Sequence, residues 1–200
     1  MRIGVFGGAF DPVHFGHLIL AEQGREQARL DQVWFVPAAR HPFKAETTAA
    51  PFHRRVEMLR LAIAGHEAFR VNEIEKDRPG LSYTADTLDE LKCQHPDDEL
   101  FLLVGSDTLP DLPKWHAPER ILRAATLVVR ERQGHPLTPA AELQAAIGEP
   151  VRLQQVEVPL IDLSSRDIRR RVSQGRSIRY MLPRAVEVYI AEKHLYKGEK

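Results

Sequence analysis

The chain has 200 residues, 43% of them hydrophobic, and is therefore long enough to bury a core as a single domain. Its 28 basic residues balance 28 acidic ones, so no overall charge draws it to nucleic acid or to a membrane surface. Cys93 is the only cysteine, which excludes an internal disulfide and a thiolate zinc cluster. We expect no signal peptide and no membrane span, and hence a cytoplasmic protein.

Short apolar runs alternate along the chain with stretches of helical periodicity. Strands are predicted at residues 2–6, 33–36, 69–74, 100–104, 127–129 and 151–158. Helices are predicted at residues 15–29, 52–64, 83–92, 140–146 and 164–172, and from 183 onward. Proline-containing loops at residues 38–51 and 109–118 each follow the carboxyl end of a strand, where open α/β sheets hold their ligands. This order predicts a parallel sheet covered by helices.

The connection between the first strand and the first helix contains paired glycines and paired histidines. Gly7 and Gly8 permit unusual backbone angles and close approach of a polyphosphate. His14 and His17 share a face of the first helical turn, and Gly16 between them lets a nucleotide lie against the backbone. The glycine pair alone is equally typical of any tight turn, and paired histidines also suit a metal site, although no spacing supplies a third ligand. Together, these residues favour phosphate binding.

A second candidate for anion binding lies near the C-terminus. Ser164 and Ser165 would provide hydroxyls and free amides at a helix start, and Arg169 follows within two turns. Taken alone, the segment is more typical of a helix cap followed by a solvated basic face. Combined with the first motif, it predicts a second contact to a nucleotide's phosphates.

These motifs resemble a known superfamily. Residues 7–17 read G-G-A-F-D-P-V-H-F-G-H and are similar to the G-G-x-F-D-P-x-H-x-G-H signature of the H-x-G-H nucleotidyltransferases. The segment around residues 164–169 is similar to the superfamily's I-S-S-T-x-I-R signature, with Ser164, Ser165, Ile168 and Arg169 in register. It departs at Asp162 and Leu163, which replace the usual approach, and at Arg166, where threonine is common. Segments 42–44, 55–59, 82–88 and 105–107 and Trp115 follow the order of bacterial nicotinate mononucleotide adenylyltransferases, so the resemblance extends almost end to end.

The resemblance implies a Rossmann-like doubly wound parallel sheet with helices on both faces, in a single domain 1–200. Its small C-terminal helical portion, residues 164–200, would complete the ATP site. The implied reaction transfers the adenylyl group of ATP to nicotinate mononucleotide, giving deamido-NAD and pyrophosphate in NAD biosynthesis.

The same resemblance assigns the site residues. The implied catalytic residues are His14, His17, Lys44 and Arg169. The implied ATP contacts are Gly7, Gly8, Ala9, Phe10, His14, Gly16, His17, Gly105, Asp107, Ser164, Ser165 and Arg169. The implied contacts to nicotinate mononucleotide are Lys44, Tyr83, Thr84, Trp115 and Arg132, with main-chain amides near Tyr83 and Thr84 on the carboxylate and the indole on the pyridine ring. Mg²⁺ is expected to be carried with ATP rather than held by a protein metal site.

Three other functions are weighed against this one. A sister enzyme would use another acceptor, such as phosphopantetheine or nicotinamide mononucleotide, or would transfer a cytidylyl group. A regulator would bind nucleotide without turnover. An RNA-binding function is suggested by the arginines at 169–171, but the neutral overall charge argues against it. The sequence leaves open whether copies of the chain form a homo-oligomer.

Overall fold

The computed structural model describes residues 1–40, 49–131, 134 and 136–198. Its centre is a sheet of six strands, all parallel, in the spatial order β3-β2-β1-β4-β5-β6. The strands are β1 Arg2–Gly8, β2 Gln32–Pro37, β3 Phe69–Val71, β4 Glu99–Gly105, β5 Ala125–Arg130 and β6 Leu153–Val156. This is the strand order of a doubly wound Rossmann-like sheet, and the predicted fold class is therefore confirmed.

Seven α-helices and one 3-10 helix connect and cover these strands within the described ranges. The α-helices are α1 Phe15–Gln27, α2 Phe52–Ile63, α3 Thr84–Gln94, α4 Pro118–Ala124, α5 Ala140–Ile147, α6 Ser165–Ser173 and α7 Arg184–Glu192, and the 3-10 helix is Ser106–Lys114. Each helix of the part described is too short or too polar to cross a membrane.

Two apolar layers lie on opposite faces of the sheet, because successive strand side chains point to opposite sides. Phe101 and Leu103 of β4 join the layer that contains residues of α1, α2, α6 and α7. Leu100 and Leu102 join the other layer, with α3, α4 and α5. Helices therefore cover both faces, as predicted.

Three local features differ from the prediction. Of the strand predicted at 151–158 only β6, Leu153–Val156, forms, and the next amide, that of Glu157, donates to the Gln27 side chain at 2.9 Å. The strand predicted at 69–74 ends at Val71, because the Asn72 side chain accepts a hydrogen bond from the Ile74 amide at 3.0 Å and turns the chain. The segment predicted as a loop at 109–118 forms most of the 3-10 helix, followed by the unpredicted α4. Pro110 and Pro113 lack the amide that an α-helix requires, whereas Pro118 suits the first turn of α4.

The sheet determines where a site can lie. β1 pairs with β2 on one side and with β4 on the other. The strands β1 to β3 therefore follow one another in one direction across the sheet, and β4 to β6 follow one another in the opposite direction. A crevice opens at this point, beyond the carboxyl ends of the strands. The glycine-histidine turn follows β1, and the 3-10 helix follows β4, so both line this crevice.

Candidate active site

The turn between β1 and α1 is mostly buried but leaves its backbone open at Gly7. A Cβ on Gly7 would meet no atom within 4 Å, so a ligand can approach the main chain there. A Cβ on Gly8 would lie 3.0 Å from the Phe10 ring. Phe10 has a left-handed φ of 48° and a ring that is only 1% exposed, so its side chain belongs to the core. Phe10 thus shapes the turn and supports the histidines, and it offers a nucleotide only its backbone.

His14 and His17 stack on each other at the start of α1. Their ring centroids are 3.7 Å apart and the rings are inclined by 27°. The His14 amide donates to Nδ1 of His17 at 3.3 Å, so that nitrogen is an acceptor and the proton of the neutral ring lies on Nε2. The Phe10 ring meets His17 edge-on at 5.1 Å. The fold therefore orients His17 to donate through Nε2.

The two predicted phosphate motifs meet in the structure. Ser165 Oγ donates to the Pro12 carbonyl at 2.8 Å, and Arg169 Nη1 donates to the Asp11 carbonyl at 2.7 Å. The two motifs were predicted to share one site, and these contacts bring α6 directly against the β1–α1 turn. Ser164 Oγ caps α6 by accepting from the Asp167 amide at 3.1 Å.

These contacts refine the chemistry of the two serines. In this structure the Ser165 hydroxyl donates its proton to the Pro12 carbonyl, so the proton is engaged within the protein. Ser164 accepts in its cap and still has its own proton to donate. Arg169 uses one nitrogen on the turn, and its guanidinium carries further N–H groups. Ser164 and Arg169 thus keep hydrogen-bond donors for the phosphate contact that the sequence predicts, and that contact stays a prediction.

A cleft beside the turn contains the residues predicted to bind the second substrate. It has about 850 Å³ of empty space that opens to solvent. Gly7, Gly8, Tyr83, Thr84 and Trp115 are among its lining residues. Tyr83 is the N-cap of α3, so the first amides of that helix face the same region. Gly7 and Gly8 therefore share one cavity with the residues predicted to bind nicotinate mononucleotide, whereas His14, His17 and Arg169 are not among its lining residues.

A buried carboxylate forms part of the cleft wall. Glu75 is 6% exposed and accepts from the Thr87 hydroxyl at 2.6 Å and from the Ala39 amide at 3.3 Å. Arg78 in turn donates to the Thr87 hydroxyl at 2.6 Å. Hydrogen bonds within the protein thus stabilise the Glu75 carboxylate, and they link the residues after β2 to α3.

Gly105 and Asp107, predicted to contact the adenosine, lie where β4 passes into the 3-10 helix. A Cβ on Gly105 would collide with Asp107 Oδ1. The Asp107 carboxylate can therefore occupy this position only because residue 105 has no side chain.

Gly105→Ala is expected to raise the KM for ATP about tenfold, because the methyl group displaces that carboxylate. Steady-state kinetics at a saturating concentration of nicotinate mononucleotide would measure the change. The double variant Gly105→Ala/Asp107→Ala should bind ATP no worse than Asp107→Ala alone, since the two changes act on one group. Additive losses would contradict this explanation.

Some assigned residues fall outside the described part of the chain. Lys44 and Arg132 lie there, so their assignments stay predictions. Within residues 1–40, 49–131 and 136–198, no three His, Cys, Asp or Glu side chains gather to hold a metal ion. A divalent ion that arrives with a nucleotide would have phosphate oxygens and water as its ligands, and such an ion needs no protein cage.

The buried polar residue Arg55 was not identified from the sequence as part of the site's frame. Its guanidinium, 1% exposed, donates to the carbonyls of Ala9 at 2.7 Å, Ala38 at 2.8 Å and Ala50 at 3.2 Å. Burial lowers the pKa of Arg55, and the negative charge of Asp11 opposes this. A sequence clue existed, because Arg55 is four residues before Leu59 and so shares the apolar face of α2.

Tyr196 and His116 were also not identified. The Tyr196 hydroxyl contacts Asp11 across 185 residues of sequence, a separation at which no local pattern operates. His116 lines the cleft, and its ring lies 4.3 Å from that of Tyr83. Its position directly after Trp115 was the available clue.

Comparisons with known proteins agree with this geometry. A family model described as cytidylyltransferase-like matches residues 5–171. A Thermus thermophilus protein named "Probable nicotinate-nucleotide adenylyltransferase" is 47% identical over 197 residues, which are 98% of this chain and 100% of that protein. A Bacillus pumilus protein of the same name is 41% identical over 98% of this chain and 99% of its own length.

Solved structures show the same fold. The structure of "Plasmodium falciparum nicotinic acid mononucleotide adenylyltransferase complexed with NaAD" superposes with a TM-score of 0.81. The match covers 98% of this chain and 97% of that chain at 19% sequence identity, a level at which the likeness concerns the fold.

Proposed function

This chain belongs to the nicotinate-nucleotide adenylyltransferase family, among the cytidylyltransferase-like proteins, and on that premise we propose that it transfers the adenylyl group of ATP to nicotinate mononucleotide. The products are deamido-NAD and pyrophosphate. The chain is thus a transferase of NAD biosynthesis, and the single free cysteine, Cys93, supports a cytoplasmic location.

One arrangement supports the assignment of the site: Arg169 contacts the turn that carries the two histidines, and Gly7 and Gly8 at the start of that turn line the cleft with Trp115. A nucleotide triphosphate on the turn would point its phosphates at the stacked histidines and α6. An acceptor in the cleft would then reach the α-phosphorus from the side of Gly7 and Gly8. Residues 164–200 supply Ser164 and Arg169, which supports their role in completing the ATP site.

The chemistry requires no protein nucleophile. A phosphate oxygen of nicotinate mononucleotide bonds to the α-phosphorus of ATP, and the bond from that phosphorus to the bridging oxygen of the β-phosphate breaks. Pyrophosphate leaves with the bonding electron pair. The protein's task is to hold two anions together and to neutralise charge on the leaving group. His14, His17 and Arg169 would provide the donors, with Lys44 as a further cation.

Mg²⁺ enters with ATP as part of the substrate. When bound, it neutralises phosphate charge. The protein's own residues then hold the nucleotide: the turn amides and His17 Nε2 donate to phosphate oxygens, and Asp107 would accept from ribose hydroxyls.

The acceptor's ring and carboxylate fit the other end of the cleft. Trp115 offers a flat indole face for a pyridine ring. The amides that follow Tyr83 at the start of α3 carry partial positive charge, which favours a carboxylate over a neutral amide. The site should therefore prefer nicotinate mononucleotide to nicotinamide mononucleotide.

A direct assay tests the function. The purified chain is incubated with ATP, Mg²⁺ and one of three acceptors: nicotinate mononucleotide, nicotinamide mononucleotide or phosphopantetheine. Pyrophosphate release and chromatography of the dinucleotide are followed, and CTP replaces ATP in a parallel series. We expect the highest kcat/KM with ATP and nicotinate mononucleotide. Equal turnover of phosphopantetheine or CTP would overturn the assignment, and nucleotide binding without turnover would identify a regulator.

Trp115→Ala is expected to raise the KM for nicotinate mononucleotide about tenfold, because stacking on an aromatic ring is lost. The KM for ATP should change less than about threefold, since Trp115 lines the acceptor end of the cleft. Trp115→Phe is the matched control and should recover most of the affinity. Equal changes in both KM values, or a large fall in melting temperature, would instead indicate a packing role.

A further inference from the structure

A buried hydrogen bond joins the last described segment of the chain to the glycine-histidine turn, residues 7–17. The hydroxyl of Tyr196, which follows α7, donates to Asp11 Oδ1 at 2.6 Å. Burial and the neighbouring Asp11 raise the pKa of the Tyr196 phenol well above its usual range, so the phenol keeps its proton and acts as a donor. Its ring packs against the core layer that contains Phe10.

Asp11 lies at the centre of several contacts. Its side chain is 2% exposed, and it accepts from the amides of Ala49 at 2.7 Å and Ala50 at 3.2 Å. Its own carbonyl accepts from Arg169, whose Nη1 also lies 3.9 Å from Asp11 Oδ2. The carboxylate is therefore too distant from the guanidinium for a close ion pair, while amides and the phenol satisfy its oxygens.

From this arrangement we propose that Tyr196 is a positioning residue for ATP, which acts through Asp11 to hold Arg169 in its phosphate-binding position. The inference rests on the proposed function for the identity of the nucleotide. The hydroxyl supplies one of the hydrogen bonds that orient the Asp11 carboxylate. Without it, Oδ1 loses a donor, and the carboxylate turns towards the Arg169 guanidinium, which already lies 3.9 Å from Oδ2.

The consequence concerns ATP more than the acceptor. A close Asp11–Arg169 ion pair would neutralise the arginine and draw it away from the phosphates. The acceptor cleft around Trp115 is lined by other residues and does not include Tyr196, Asp11 or Arg169. Loss of the Tyr196 hydroxyl should therefore weaken the binding of ATP and leave that of nicotinate mononucleotide nearly unchanged.

Tyr196→Phe removes only the hydroxyl, and the dissociation constant for ATP with Mg²⁺, measured by calorimetry without acceptor, reports its effect. We expect this constant to rise about tenfold, because the lost bond is to a charged group. The matched control is Tyr189→Phe, which removes a phenol hydroxyl that accepts from Arg54 at 2.9 Å on α2. This control should bind ATP within about twofold of the wild type.

A double-mutant cycle separates positioning from general packing. If Tyr196 acts through Arg169, Tyr196→Phe should have little further effect on ATP binding in an Arg169→Ala background. An equal loss in both backgrounds, or ATP binding unchanged by Tyr196→Phe alone, would overturn the inference. A wild-type chain that binds ATP but makes no deamido-NAD would overturn the proposed function, and the binding comparison would still decide the role of Tyr196.

Discussion

We expect His17→Ala to lower kcat for deamido-NAD formation by about 100-fold or more, as loss of one transition-state donor commonly does. The His14 amide donates to His17 Nδ1, which leaves the ring proton on Nε2 as a preoriented donor. An alanine has no donor to place there. The charge that develops on the departing pyrophosphate would then lack one neutralising contact, so the effect should fall on kcat more than on the KM for nicotinate mononucleotide.

The control for this prediction is His95→Ala. His95 follows α3, where its ring meets Trp34 of β2 edge-on, and it is not among the residues that line the cleft. Its removal should leave kcat within about threefold of the wild type. Circular dichroism and a melting curve establish that both variants are folded. A folded His17→Ala variant with nearly unchanged kcat would contradict the role assigned to the histidine turn.

Arg55→Met is expected to reduce the free energy of unfolding by about 3–5 kcal/mol, the range found when one partner of a buried charged network is removed. Arg55 donates to three carbonyls: that of Ala9 in the glycine-histidine turn, that of Ala38 directly after β2, and that of Ala50 before α2. Methionine fills similar space but cannot donate, so the buried carbonyls and the Asp11 charge lose their compensation. Urea denaturation followed by circular dichroism would measure the loss.

Arg60→Met provides the matched comparison on the same helix. The Arg60 side chain is 62% exposed and pairs with Glu73 at the surface, so its removal should cost less than about 1 kcal/mol. Equal destabilisation by the two substitutions would show that the buried guanidinium does not hold these segments together. Added ATP should raise the free energy of unfolding of both variants only by the amount that its affinity for the folded state gives.

Much of the site was predictable because its chemistry is local in sequence. Gly7, Gly8, His14, Gly16 and His17 lie within one turn and the start of one helix, where spacing alone determines which groups share a face. The structure stacks His14 on His17 and brings α6 against this turn, and the ligand contacts predicted for these residues stay predictions. The alternation of strands and helices likewise predicted a doubly wound sheet, because each amphipathic element must bury its apolar side against the next.

The hydrogen-bond frame behind the site was not predictable in the same way. Arg55 reads as a charged residue of an amphipathic helix until the fold brings three carbonyls to it, and Tyr196 reads as a terminal aromatic residue. Their partners lie up to 185 residues away, and neither hydrophobic periodicity nor capping preference reports on contacts at such distances. The use of the Ser165 proton on Pro12 is another contact that depends on how α6 packs.

The amino-acid sequence by itself determined the fold class, the phosphate turn and the kind of chemistry, because each follows from residue types at short spacing. Only the tertiary structure decided which serine hydroxyl donates to the turn, which charges are buried and how the C-terminal segment contacts Asp11. The physical reason is that burial and hydrogen-bond partners are properties of the packed chain, and they arise when segments far apart in sequence share the same space.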